Sequence, residues 1–129
     1  MVRGRRDDRG DVEAVLGPLE AEVLRVVWEL DRPVSVREVL DRMNGDRSRQ
    51  LAYTTVMTVL AKLANKGVLG RQQNGRAYLY EATVTDAAGI AVRSVLDRFG
   101  EAAVARFVDQ ARADQELRKR LERLLEAGE

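Results

Sequence analysis

The chain of 129 residues contains no cysteine, no histidine and two prolines. Without cysteine it has no disulfides, thiolate metal sites or cysteine nucleophiles. Without histidine it lacks the usual general base and the commonest transition-metal ligand. No recognisable catalytic base accompanies any of its three serines. The sequence therefore predicts a protein that is not an enzyme and uses no metal or cofactor.

Long apolar runs are missing as well. No stretch approaches the roughly 18 consecutive apolar residues of a membrane span, and residues 1–8 lack the apolar segment of a signal peptide. Hydrophobic residues still make up 45% of the chain, which is enough for a core in one domain or two small ones. We expect a folded, soluble, cytoplasmic protein that does not insert into membranes.

Basic residues are concentrated in the middle of the chain. Residues 32–80 carry nine basic and three acidic side chains, whereas residues 1–31 carry five and eight, and residues 81–129 carry eight and ten. Positive charge between acidic flanks attracts a polyanion such as a nucleic acid. Chance variation in a charge-rich chain is the alternative, and the predicted architecture of the basic block decides between the two.

Residues 1–14 show no apolar periodicity and are predicted to form a flexible tail. Its arginines Arg3, Arg5 and Arg6 are placed like a basic arm that enters a minor groove. The aspartates that follow and interrupt them favour an ordinary solvated tail instead.

The next part of the chain is predicted to form three helices. Apolar residues recur at helical spacing until Asp31-Arg32-Pro33 ends the first helix. Ser35 and Glu38 have the spacing of a capping box, which begins a second, short helix. The third helix is predicted over residues 52–66, with Gly67 at its C-terminal cap.

A β-hairpin is predicted after the third helix. Asn74-Gly75 is the strongest short hairpin signal, because both residues accept positive φ. Tyr78 and Tyr80 alternate along the second strand and are interpreted as structural residues. Three helices and a hairpin follow each other in the order of a winged helix-turn-helix domain, which we assign to residues 15–82.

The third helix is predicted to have one apolar and one polar face. The apolar stripe contains Val56, Val59, Leu60 and Leu63. The opposite face is short, polar and nearly free of acid, which suits a helix in a major groove, and its threonines offer hydroxyls and methyls to base edges. Capping of the helix is the alternative role for Thr54 or Thr55, but it does not explain Thr58.

Arginines flank this helix on both sides. Arg47 and Arg49 precede it and are predicted to hold phosphates, although loops are commonly charged. Arg76 follows the hairpin turn, where a wing tip lies beside the sugar–phosphate backbone, and such contacts fix the register of a protein on DNA. For Arg71, on the first strand, an ordinary solvated position is the alternative.

Residues 83–129 are predicted to form three short helices, with breaks at Gly100 and residues 111–114. Such helices cannot build a large core alone, and an identical chain is the commonest partner for their apolar faces. Packing within one chain is the alternative that periodicity leaves open. The predicted dimer contacts are Leu96, Phe99, Val104, Phe107, Leu117, Leu121, Leu124 and Leu125. The fold class is thus mainly α with a small β-hairpin wing (α+β): an N-terminal winged helix-turn-helix and a C-terminal helical dimerisation domain.

Two segments, Leu51–Gly67 with its Tyr-Thr-Thr-Val-Met-Thr run and Gly75–Tyr80, resemble the penicillinase-repressor (BlaI/MecI) family. The likeness, to an actinobacterial-type member, extends over about residues 17–127. It implies a homodimeric repressor that binds palindromic operators, typically with TACA/TGTA-like half-sites. The residue patterns and the resemblance together predict a set of DNA contacts: Arg47, Arg49, Tyr53, Thr54, Thr55, Thr58, Lys62, Arg71 and Arg76.

Two features depart from known branches of that family. The β-lactam-responsive members are inactivated through a membrane sensor-protease pathway that cuts before a phenylalanine, commonly at Asn-Phe. Here Arg106 precedes Phe107, so an inactivating protease acting at this bond is a hypothesis. Copper-responsive relatives carry a C-terminal cysteine cluster, which this chain lacks.

Two functions of different classes follow. The first is a homodimeric, sequence-specific transcriptional repressor with its third helix in the major groove of double-stranded DNA and its wing on the backbone. The second is a winged-helix protein–protein module that docks an acidic partner on the basic face. The threonine-rich helix favours the first function. Protein–protein interfaces are enriched in aromatic anchors, which this helix mostly lacks.

Overall fold

A computed structural model describes residues 11–128, and within them a short 3₁₀ turn, six α-helices and one β-hairpin follow each other. The helices are α1 (Pro18–Leu30), α2 (Val36–Asn44), α3 (Tyr53–Asn65), α4 (Ala87–Phe99), α5 (Glu101–Ala113) and α6 (Gln115–Ala127), and the strands are β1 (Leu69–Asn74) and β2 (Ala77–Ala82). The predicted fold class, mainly α with a two-stranded wing, is confirmed. The chain divides into two compact units, the first ending at Ser94 and the second beginning at Val95.

The first two helices begin and end where local chemistry permits. Pro18 occupies the first turn of α1, where its missing N–H costs nothing, and Asp31 ends that helix in the left-handed region with φ of 53°. At the start of α2, the Glu38 amide donates to Ser35 Oγ at 3.1 Å, and the Ser35 amide donates to Glu38 Oε1 at 3.0 Å. The predicted capping box is therefore confirmed.

The third helix begins without a side-chain cap. Its N-cap residue is Ala52, whose side chain accepts no hydrogen bond, so the alternative in which Thr54 or Thr55 caps the helix is wrong. Neither threonine precedes the first turn, and both lie within the helix. At the other end, Gly67 has φ of 78°, and the Val68 amide donates to the Leu63 carbonyl at 3.0 Å. The predicted C-terminal cap of the helix by a glycine is therefore confirmed.

The turn of the hairpin differs by one residue from the predicted one. Asn74 pairs with Ala77 across the antiparallel strands, so the two loop residues are Gly75 and Arg76 rather than Asn74 and Gly75. Gly75 has φ of 67°, whereas Arg76 is not in the positive-φ region. A glycine with positive φ in the first loop position is the pattern of a type II′ turn. Asn74 therefore stays in the strand, and Arg76 lies in the turn itself.

The core of the first unit joins all three helices to the wing. Val34 and Tyr80 exchange two backbone hydrogen bonds of 2.7 and 2.8 Å, which adds a one-residue third strand to the hairpin. Tyr80 is buried, as predicted, but Tyr78 is exposed and is not a core residue. Val12 is completely buried in the same core, so the predicted tail is wrong for the Val12–Ala14 turn. Arg3, Arg5 and Arg6 lie outside the described residues.

The same core extends past the predicted domain boundary at residue 82. Trp28 Nε1 donates to the Val84 carbonyl at 2.8 Å, and Ile90 on α4 is buried with the residues of α1 to α3. The first turns of α4 thus belong to the first unit, because they complete its core. Within residues 11–128, every helix is too short or too polar to cross a bilayer.

The second unit has almost no interior of its own. Among its described residues, Ala111 is the one buried side chain. Large apolar side chains are exposed along it, including Leu124 at 71% and Leu125 at 66% of their surface. The exposed members are Val95, Phe99, Val104, Phe107, Val108, Leu124 and Leu125.

Candidate nucleic-acid interface

The outer face of α3 has the composition that the sequence predicts. Thr54, Thr58 and Lys62, which are four residues apart, are exposed, whereas Thr55 is half-buried. The opposite stripe, Val56, Val59, Leu60 and Leu63, is buried. Since the first turn carries no acidic residue, this helix presents hydroxyls, methyls and one ammonium group without a negative charge.

The loop before α3 is held by Asn44. Its Oδ1 accepts from the Leu51 amide at 2.8 Å, and its Nδ2 donates to the Leu51 carbonyl at 3.1 Å. Gln50 Nε2 donates to the Asn44 and Arg47 carbonyls, both at 3.0 Å. These side chains replace the missing cap as the groups that fix the start of α3. No local sequence pattern indicates this role of Asn44.

The nine basic residues of the central block fall into two classes. Five form an ion pair with a carboxylate: Arg32, Arg37, Arg42, Arg47 and Lys66. Four form no ion pair with any residue that the structure describes: Arg49, Lys62, Arg71 and Arg76. All four are predicted DNA contacts, and all four are exposed. Cations without a carboxylate partner are directly available to a polyanion.

Arg47, in the loop before α3, and Lys66, at the C-terminal end of α3, instead form ion pairs with α1. Arg47 Nη2 lies 2.6 Å from Glu22 Oε1, and Lys66 Nζ lies 2.9 Å from Glu20 Oε1. Arg47 thus has a carboxylate partner on α1, and its predicted phosphate contact stays a prediction. Sequence periodicity could not show this, because 25 and 46 residues separate the partners.

Arg71 and Arg76 lie on the wing in different settings. Arg76 occupies the exposed turn, and Gln73 Nε2 donates to the neighbouring Gly75 carbonyl at 3.2 Å. The Arg71 guanidinium lies 4.5 Å from the centroid of the exposed Tyr78 ring. A guanidinium stacked on a ring keeps its N–H edges free for an anion.

A second arginine–tyrosine contact, which no local sequence motif indicates, lies between α2 and α3. The Arg37 guanidinium is 5.2 Å from the centroid of the Tyr53 ring, and Tyr53 is the first residue of α3. Tyr53 is 41% exposed. The predicted contact Tyr53 therefore has a basic neighbour on the adjacent helix.

One ion pair at the start of α2 perturbs titration. Arg32 Nη2 lies 2.8 Å from Glu38 Oε2. The hydrogen bond from Arg32, followed by the one from the Ser35 amide, lowers the pKa of Glu38 below its ordinary value. The same carboxylate raises the pKa of Arg32.

The bond between Arg106 and Phe107 lies in the middle of α5. Arg106 Nη1 is 3.4 Å from Asp109 Oδ2 one turn later, and Phe107 is 46% exposed. Both side chains are accessible, but the backbone is helical. Cutting at this bond requires local unwinding, and the hypothesis of an inactivating protease stays a prediction.

The chain matches the family described as "Penicillinase repressor" over residues 16–127. The transcriptional regulator BlaI of Mycobacterium tuberculosis is 35% identical to it, over 88% of this chain and 86% of that protein. The penicillinase repressor of Bacillus licheniformis is 28% identical, over 62% of each chain.

The fold has solved counterparts as well. A complex structure of hsRosR covers 92% of this chain and 96% of its own with a TM-score of 0.51, and at 18% sequence identity this likeness concerns the fold alone. The family match extends over most of both compact units, including α3 and the wing. The chain therefore belongs to the penicillinase repressor family.

Proposed function

We propose that this protein is a DNA-binding transcriptional repressor that places α3 in the major groove and the wing on the sugar–phosphate backbone. The observation that carries the proposal is the division of the central cations. Those that fix the fold are neutralised by carboxylates, whereas those without a partner among the described residues are in the loop before α3, on its outer face and on the wing. The names of the related regulator and repressor support the same function.

The exposed apolar side chains of the second unit support a homodimer. Leu124, Leu125 and Phe107 are among the large side chains that face solvent, and large apolar side chains exposed in such numbers on a short segment are typical of an interface. We propose that two copies bury these residues against each other. Two winged domains related by a two-fold axis then bind a palindromic operator with half-sites about one helical turn apart, roughly 34–36 Å.

The test begins with duplexes recovered from a random-sequence pool by binding to the full chain. Affinity for a recovered duplex and for a shuffled duplex is measured over a range of salt concentrations. We expect a clear preference for the recovered sequence and a strong loss of affinity as salt rises, because bound cations release counterions from DNA. Absence of any preference, with tight binding to an acidic protein partner instead, would support the protein–protein alternative.

Replacing Arg76 by glutamine tests the wing. We expect R76Q to weaken binding to both duplexes similarly and to reduce the slope of log K against log salt by about 0.9, the value for one lost phosphate contact. The matched control is Arg112→Gln, because Arg112 is exposed, lies on α5 and has no proposed DNA contact. An unchanged slope for R76Q would rule out the phosphate contact of the wing tip.

A further inference from the structure

Arg37 differs from the other arginine of α2 in how firmly it is neutralised. Arg37 Nη1 is 3.9 Å from Asp41 Oδ1, and the two side chains are 65% and 68% exposed. Arg42, on the same helix, lies 2.5 Å from Glu29 Oε1. A long ion pair in water is weak and easily exchanged. Arg37 can therefore exchange Asp41 for another anionic partner.

The Tyr53 ring fixes where that charge lies. The Arg37 guanidinium is 5.2 Å from the ring centroid, and Thr54 follows Tyr53 on the exposed part of the same turn. A guanidinium has five N–H donors, and the ring forms no hydrogen bond with them through its face, so N–H groups of Arg37 remain available to an anion.

We infer that Arg37 is a further phosphate-contacting residue, held in place by Tyr53, at the edge of the groove that α3 enters. This inference rests on the proposed function. In helix-turn-helix proteins the helix before the recognition helix crosses the DNA backbone, and α2 is that helix here. Arg37 is then the α2 residue that binds a phosphate, and Tyr53 positions it.

The first experiment compares R37Q with R42Q in the full chain, using a duplex recovered from a random-sequence pool and a shuffled duplex. We expect R37Q to weaken binding to both and to reduce the salt slope by about 0.9. R42Q removes the same charge from the same helix and is expected to leave the slope unchanged. Equal slopes for R37Q and the wild type would overturn the inference. Equal reductions in both variants would also overturn it, because they would reflect net charge.

A second experiment tests the positioning role of Tyr53. Y53F keeps the ring, so the Arg37 contribution to the salt slope is expected to persist. Y53L removes the ring, so R37Q is expected to change affinity less in a Y53L background than in the wild type. Full additivity of R37Q and Y53L would show that the ring does not position the guanidinium. Melting temperatures identify variants that simply unfold.

The outcomes separate this inference from the function on which it rests. If R76Q reduces the slope and R37Q does not, the wing contacts DNA and the inference about Arg37 is wrong. If the wild type binds neither duplex, the proposed function and the inference both fail. If R37Q reduces the slope and R76Q does not, the phosphate contact of Arg37 is supported and the proposed wing-tip contact is wrong.

Discussion

At the scale of single residues, the three threonines of α3 fall into two environments. Thr54 and Thr58 are exposed and Thr55 is half-buried, so the same side chain contributes to the outer face or to packing according to its angle on the helix. No threonine caps α3. The sequence predicts a threonine-rich outer face correctly, because position around a helix follows from its 3.6-residue period.

Thr58 allows its two chemical groups to be tested separately. Thr58→Ser keeps the hydroxyl and removes the methyl, whereas Thr58→Val does the reverse. Because a specific base contact is worth about 1–3 kcal/mol of discrimination, we expect at least one variant to lower the affinity ratio between the recovered duplex and its single-base variants by about tenfold. The measurement is a binding titration against a panel of such duplexes.

Thr85→Val is the control for this pair, because Thr85 is also exposed but lies outside α3. It is expected to leave the ratio unchanged. If both Thr58 variants discriminate as well as the wild type does, Thr58 does not read sequence.

At the scale of elements, the capping box of α2 makes stability depend on pH. The folded-state pKa of Glu38 is below its ordinary value of 4.5, chiefly because of Arg32 and then the Ser35 amide. Because the folded-state pKa of Glu38 is lowered, its charged carboxylate stabilises the folded state fully above the ordinary pKa. This stabilisation is lost as pH falls through the lowered, folded-state pKa. Glu38→Gln is therefore expected to be less stable than the wild type near neutral pH.

The difference in free energy of unfolding between E38Q and the wild type should shrink as pH falls below about 4.5. Urea denaturation from neutral pH to about pH 3 measures it. Ser35→Ala is the companion variant and is expected to cost about 1 kcal/mol near neutral pH through loss of the cap. A pH-independent difference for E38Q would show that the charged carboxylate is not the stabilising group.

Local patterns predict helices and strands better than they predict turns and loops. The ends of α1 and α2 and the glycine after α3 follow from residues that are adjacent in sequence. The hairpin turn is shifted by one residue, since Asn74-Gly75 and Gly75-Arg76 both satisfy a two-residue loop and pairing of the strands selects between them. The bonds of Asn44 to Leu51 had no local signal either.

At the scale of the whole molecule, the boundary between the two units is testable. A chain that ends at Ser94 retains Val84 and Ile90, whereas a chain that ends at Ala82 loses the acceptor of the Trp28 bond and a buried side chain. Loss of a large buried side chain typically costs about 2–5 kcal/mol. We expect the longer fragment to unfold cooperatively and the shorter one to be much less stable in the same denaturation assay.

The fragment ending at Ser94 also tests the dimer. We expect the full chain to sediment as a dimer at micromolar concentration and the fragment as a monomer, because the fragment lacks the exposed leucines and phenylalanines of the second unit. The fragment should then bind a palindromic duplex more weakly, since one half-site no longer supplies avidity to the other. A monomeric full chain would overturn the dimer model.

The amino-acid sequence alone is enough to predict the order of helices and hairpin, the buried stripe of α3 and the family. These depend on short-range periodicity, caps and a contiguous motif. Packing in three dimensions sets the long-range contacts. It pairs Arg47 with Glu22 and Lys66 with Glu20, buries Val12 and Ile90, and brings Arg37 to Tyr53. The physical reason is that ion pairs, stacking and burial depend on distance in space. Residues far apart along the chain meet only once the helices have packed.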